Sequence, residues 1–210
     1  MAHSNDDWRS LTSRLAWKPR PLNEMLKLTR HHPLVTVVLL LAAIGCSSDM
    51  PTPAMMAAIH DIDSEATIVE RGDVDEDECD SNYLNDSPGL VVADFNGDGY
   101  EDFSALVRVG DEGEVVEWQG RTLRHATFVF AIMEAGSSGG FSARYLQRFE
   151  SYLPLSAHLG TARPGMVVRN RDTGEEVELP HPAVELVFCE KSAALYYLDD
   201  HEIRSVFVGD

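Results

Sequence analysis

The sequence predicts a mainly β domain, α+β at most: a single antiparallel β-sheet or sandwich with a short N-terminal helix. Three observations carry that expectation. From Leu90 to the end, apolar and β-branched residues come in runs of about four to eight, which is strand length and short of helix length. Turn chemistry separates the runs, most plainly Asn170-Arg171-Asp172-Thr173-Gly174 between residues 166–169 and 175–179. Helical periodicity without a competing strand reading is confined to residues 54–62, where Met55, Ala58, Ile59 and Ile62 fall on one face.

Taken in order, residues 1–33 are polar, with Trp8, Trp17 and several basic side chains, and show no packed-element pattern. Residues 34–44 form an uncharged apolar run of 11, too short to span a bilayer and the right length for the apolar region of a signal peptide. Gly45-Cys46-Ser47-Ser48 comes immediately after it. This arrangement resembles the lipobox of bacterial lipoproteins, with Ala43 standing where that pattern usually has Leu. The resemblance implies that Cys46 is acylated and becomes the new N-terminus. It also implies a chain anchored to a membrane through lipid and otherwise held outside the cytoplasm, in the bacterial cell envelope. Ser47 after the cysteine, rather than Asp, is what the resemblance associates with the outer membrane. A non-lipidated signal peptide cut nearby and an N-terminal signal anchor are the other readings of the same stretch. Residues 25–33 alone make an ordinary basic leader, so translation is expected to start at Met25. The expected organisation is therefore a leader and signal peptide over 1–45, a tether over 46–53 rich in Ser, Pro and Thr, and one domain over 54–210.

The full chain carries a formal charge of −18, and the leader holds more basic than acidic residues, so the remainder of the chain is more acidic still. Nucleic acid is thereby a poor partner, and cations, cationic proteins or a salty medium fit better, unless the charge serves only solubility. Protein or glycan ligands in the envelope stay open as partners. With Cys46 assigned to the lipid, Cys79 and Cys189 remain. In an oxidising compartment they are expected to pair, the other reading being two free thiols with Cys189 buried. Around Cys79, Asp73, Asp75 and Asp77 alternate, but Glu78 stands where a calcium loop needs Gly, so a solvated acidic loop is expected.

Residues 94–102, Asp-Phe-Asn-Gly-Asp-Gly-Tyr-Glu-Asp, are the most specific signal in the chain. Asp94, Asn96 and Asp98 put oxygen donors at alternate positions, Gly99 permits the sharp turn, Tyr100 offers its main-chain carbonyl and Asp102 a ninth-position carboxylate. A hard divalent cation such as Ca2+ takes six to eight oxygens, and this spacing wraps donors around one point. Position 12 is Ala105 and the flanks are short apolar strands, so the loop is not an EF-hand. It resembles the FG-GAP loop found between strands of integrin-like propellers and related bacterial surface repeats, and that resemblance implies a bound calcium ion but no activity. A bare Asx/Gly turn is the other reading, but so many acidic or amide groups in nine positions repel one another without a cation. No second such loop occurs, so repeated propeller blades are not expected.

The remaining strands are expected at 91–93, 103–109, 126–133, 166–169 and 175–179. A meander is expected over 183–189, 193–198 and 203–208, turning at Asp199-Asp200-His201. Its last part resembles the C-terminal hairpin of secreted bacterial proteins that carry a single such loop, a likeness that brings no activity. Residues 141–150 fit a strand and also a helix face, and Gly139-Gly140 before them favours the strand. Gly136-Ser137-Ser138-Gly139-Gly140 matches the nucleophile motif of α/β-hydrolases, but a helix and a separated acid and His should come after it, and a Gly/Ser turn is the better reading. A small secreted hydrolase using Ser138 or carboxylates is the alternative function. The His residues after the leader show no metal-ligand spacing. Trp118 is a candidate sugar platform, though an exposed turn residue or core edge is the simpler expectation.

Overall fold

A computed structural model describes residues 50–80, 84–110, 113–189, 191–199 and 202–209. The expected leader, Met25, the expected acylation site Cys46 and the turn residues Asp200 and His201 lie outside the described residues.

The chain enters through α1 (Pro53–Ile62). Thr52 accepts the Met55 N–H on its hydroxyl at 3.2 Å, and Pro53 opens the first turn, where its missing N–H costs nothing. The helix thus starts one residue earlier than its apolar periodicity indicates. Twelve strands come after it among the described residues: β1 (Thr67–Ile68), β2 (Leu90–Ala93), β3 (Asp102–Val109), β4 (Val115–Trp118), β5 (Arg121–Ala135), β6 (Phe141–Leu153), β7 (Ala157–Ala162), β8 (Val167–Arg169), β9 (Glu176–Glu178), β10 (Ala183–Phe188), β11 (Ser192–Asp199) and β12 (Glu202–Val208). Every pairing between strands is antiparallel.

The strands form two main sheets and a hairpin. In the first, β3 pairs with β1, β2 and β5, and β5 also pairs with β4 and β6. The second runs β12-β11-β10-β7, so the expected C-terminal meander is present and is joined at its edge by β7. The inner faces meet in one core, in which Leu106, Phe128, Phe130 and Ile132 pack with Leu159, Val184, Leu186, Tyr196 and Leu198. The outer face of the first sheet, with Phe103, Ala105, Val107, Val129, Ala131 and Met133, is covered by Met55, Ala58 and Ile59 of α1. The outer face of the second, with Ala183, Leu195, Tyr197 and Val206, is covered by Val168 and Leu179 of the β8–β9 region. Residues of opposite parity on β5 and β11 therefore enter different cores, which is why 126–133 and 193–198 read as near-continuous apolar runs rather than alternating ones.

β6 is a strand over 13 residues, an edge strand that among the described residues pairs only with β5. Ile132 faces Tyr145 while Met133 faces Ala143, so Arg144 is the extra residue of a bulge. Tyr145 and Phe149 recur four apart because their rings reach Phe130 and Phe128, at 5.8 and 5.7 Å, and the helical spacing there is coincidental. Besides the two-residue β1, two strands were not expected from the sequence. β4 is short and mostly exposed, and β7, Ala-His-Leu-Gly-Thr-Ala, has a weak strand composition that six paired residues on β10 override. Trp118 therefore ends a strand instead of sitting in a turn. The turn proper is Gln119-Gly120, both at positive φ (51° and 77°), the conformation that a two-residue hairpin demands.

The acidic segment also differs from expectation. Asp75 is 4% exposed, and its backbone is laced to the β6–β7 connection: its N–H donates to the Leu155 carbonyl at 3.0 Å, and the Leu155 N–H donates to Asp73 at 2.7 Å. Cys79 and Cys189 are joined in a disulfide that closes over 110 residues. The segment is thus anchored at Val74, Asp75 and Cys79, while Glu76, Asp77 and Asp80 are exposed as a solvated acidic loop would be.

Candidate metal loop and an aromatic cleft

Residues 94–101 close the hairpin between β2 and β3, whose last pair is Ala93 with Asp102. Gly97 and Gly99 both take positive φ, 76° and 90°, which lets the loop fold back on Asp94. Asp94 accepts the N–H groups of Gly97 (2.7 Å) and Asp98 (3.1 Å) on Oδ1 and of Gly99 (2.9 Å) on Oδ2. Asn96 Oδ1 accepts from Asp98 N–H at 2.9 Å, and Asp98 Oδ1 accepts from Tyr100 N–H at 2.8 Å. Tyr100 leaves its side chain half exposed.

Asp102 behaves differently from the others. It is 2% exposed, with one carboxylate oxygen taking the Phe95 N–H at 3.0 Å and the other the Ala135 N–H at 2.8 Å. Burial pushes its carboxyl above the usual carboxylate range; the two amide donors oppose that, and the nearby charges of Asp98 and Glu134 add to it. Glu134 comes from β5, takes an Asn96 Nδ2 hydrogen bond at 2.8 Å and pairs with Arg144 at 2.9 Å. On the opposite flank His181 lies against Gly97 so closely that a Cβ there would overlap its Cε1. Neither Glu134 nor His181 was foreseen, because strand pairing and the β9–β10 connection bring them in, and no local spacing signals either.

Among the described residues, no three of His, Cys, Asp and Glu stand close enough together to hold a metal ion as placed. The donor chemistry nonetheless fits a hard cation. Asp94, Asn96, Asp98, Asp102 and the Tyr100 carbonyl present oxygen alone, on a turn whose glycines already hold the required backbone. Ser138, by contrast, sits on the exposed β5–β6 turn, closed by the Gly136 N–H donating to Gly140 at 2.7 Å. Strand β6 comes next, where a nucleophile elbow needs a helix.

A second feature lies away from the loop. A cleft of about 740 Å3 opens between the β4–β5 hairpin, the end of β6 with its connection to β7, and the acidic wall. Trp118, 54% exposed, and Tyr152, 42% exposed, line it, with Phe149 and Leu155. The Tyr152 ring stands edge-on to His125 at 5.6 Å. Arg121 crosses to the acidic wall, bonding Asp75 through one guanidinium nitrogen and Glu78 through another at 3.5 Å, and Glu78 in turn accepts from the Ser156 hydroxyl. The Asp75 hydrogen bond raises the guanidinium further above its ordinary range, so Arg121 is a fixed cation. Sequence reading missed this ion-paired group, because Asp75 and Arg121 are 46 residues apart. No protein-family model, curated protein or solved structure matches this chain.

Proposed function

We propose that this chain is a lipid-anchored, extracytoplasmic calcium-binding protein of the bacterial cell envelope, with a binding or structural role. Loop 94–102 takes Ca2+ through the side-chain oxygens of Asp94, Asn96, Asp98 and Asp102 and the Tyr100 carbonyl, and Cys46 carries the lipid that ties the chain to the outer membrane. The observation that carries the reading is the oxygen-only donor set on a hairpin turn with both glycines at positive φ, beside a buried Asp102 crowded by Asp98 and Glu134. A cation relieves that crowding, and an ion there ties β2 to β3 at the mouth of the sandwich. Binding to the folded state alone adds about 2.7 kcal/mol at a hundredfold excess over Kd.

The test is thermal unfolding of the purified protein in calcium and in excess chelator, with Asp98→Ala alongside. A calcium-dependent rise in midpoint that Asp98→Ala abolishes is the expected result. An equal midpoint in both buffers means that the loop is only a turn. The lipid is tested separately by the mass of the N-terminal peptide from cells, which should carry acyl groups on Cys46 and lose them in Cys46→Ala.

A further inference from the structure

We infer that the cleft beside the β4–β5 hairpin is a binding site for a neutral oligosaccharide, with Trp118 and Tyr152 as stacking platforms and the Arg121–Asp75–Glu78 group as its hydrogen-bonding wall. The inference stands apart from the calcium loop, which contributes no residue to this cleft.

Size and lining come first. About 740 Å3 lies within the range of small-ligand sites, roughly 300–1,000 Å3. Leaving half of an indole and much of a phenol in water forgoes burial that both side chains could otherwise contribute. Two such rings at one cleft carry flat apolar surface of the kind that the C–H faces of a pyranose cover.

The polar wall is preorganised. Asp75 is buried, Glu78 is held by Ser156, and the segment carrying both is pinned by the Asp75–Leu155 backbone bonds and the Cys79–Cys189 disulfide. A guanidinium beside carboxylates offers donors and acceptors side by side, which is what vicinal hydroxyl groups match, each hydroxyl being both donor and acceptor. Little conformational freedom is then lost on binding.

Charge selects the class. The lining carboxylates are Asp75, Glu78, Glu117 and Glu150, and the lining cations are Arg121 and Lys191. An anion meets four carboxylates, and nucleic acid is repelled by the chain as a whole. A cation meets Arg121 and Lys191, and Asp75 and Glu78 are already ion-paired with Arg121; Glu117 and Glu150 each accept one threonine hydroxyl, at 2.7 and 2.8 Å, and keep acceptor capacity for further hydroxyls. A purely apolar ligand would strip water from all of these groups without replacing it. A neutral polyhydroxylated ligand with apolar faces satisfies every wall.

The experiment is isothermal titration of the purified full chain with cellohexaose, xylohexaose, chitohexaose and maltohexaose, and with spermine and hexalysine as cationic controls. At least one oligosaccharide should bind at about 1 mM or tighter. Trp118→Ala and Tyr152→Ala should each weaken it about tenfold or more, the loss expected of an aromatic anchor, with the thermal midpoint little changed. Trp118→Phe, which keeps a ring, should retain intermediate affinity and replaces Trp118→Ala if that variant fails to fold. No oligosaccharide binding, or binding that both alanine variants leave intact, overturns the inference. So does binding of the cationic probes alone.

Discussion

Removing the bond between Cys79 and Cys189 is the perturbation whose size derives most directly from the fold. The two residues are 110 apart in sequence. In the chain-entropy account, closing a loop of that length removes about 16 cal/mol/K from the unfolded ensemble, or about 4.8 kcal/mol at 25 °C. Both cysteines are buried, at 3% and 5% exposure, so Cys79→Ala with Cys189→Ala is preferable to serine, which would bury hydroxyls without partners. For a domain of this size each kcal/mol moves the unfolding midpoint by roughly 2–4 °C, which places the variant about 10–19 °C below the oxidised protein. Scanning calorimetry on the oxidised protein, the reduced protein and the double variant makes the comparison. The single Cys79→Ala should match the double, since either change opens the loop. Midpoints within about 2 °C of one another would refute the reasoning, and would mean that the backbone bonds between Asp75 and Leu155 already hold the acidic segment.

Gly97→Ala should destabilise by about 2–5 kcal/mol in chemical denaturation, because a side chain at φ 76° costs about 1–2 kcal/mol and the Cβ would collide with His181. Adding His181→Ala should recover the collision but not the backbone part, and full recovery would show that φ carries no cost there. Tyr196 should make the sandwich sensitive to alkali. Burial raises its phenol above an ordinary value of 10.0, with Tyr145 adding to the shift, so the folded state resists ionisation while the unfolded chain does not. Its contribution is therefore fully present below about pH 10 and is lost as pH rises through the unfolded value towards the folded one. Tyr196→Phe loses a hydrogen bond to Gln147 of 3.3 Å, about 0.5–1.5 kcal/mol at neutral pH, and should flatten the alkaline limb of the denaturation curve. An equally steep limb in the variant would remove Tyr196 as its cause.

Legibility in the sequence tracked the range of the interactions involved. β2, the loop at 94–102 and β3 read correctly because strand, turn and strand are contiguous and each local preference agrees with the fold. The β8–β9 hairpin and the C-terminal meander read correctly for the same reason. Residues 141–150 were ambiguous because a bulge at Arg144 disturbs the alternation, and because Tyr145 and Phe149 answer partners on β5 rather than a period of their own. β7 was invisible, since alanine, glycine and threonine around His158 become a strand only once β10 offers a long edge. The choice between one sheet and two was also beyond local pattern. It depends on which faces of β5 and β11 are covered, and α1 and the β8–β9 hairpin decide that from outside the sheets.

The two candidate sites divide along the same line. Loop 94–102 is nine consecutive residues, so its donor spacing is a property of the chain before it folds, while Glu134 and His181, which crowd it, are properties of the fold. Of the cleft only Trp118 stood out in the sequence. The cleft's walls come from Asp75 and Glu78, the β4–β5 hairpin, 149–157, and Phe188 with Lys191, and each stretch alone has a bland explanation: an acidic run, an exposed Trp, a strand edge, a turn. What converts them into a site is Arg121. In so acidic a chain cations are scarce, and this one spans the buried Asp75 and the partly exposed Glu78 of a disulfide-pinned segment. Removing one partner of such an arrangement leaves the others unpaired, which is more costly than the pair is stabilising. Asp75 and Glu78 are therefore better understood as the counter-charge of Arg121 than as parts of a second, defective calcium loop, while Glu76 of the same run pairs with Arg71 at 2.6 Å.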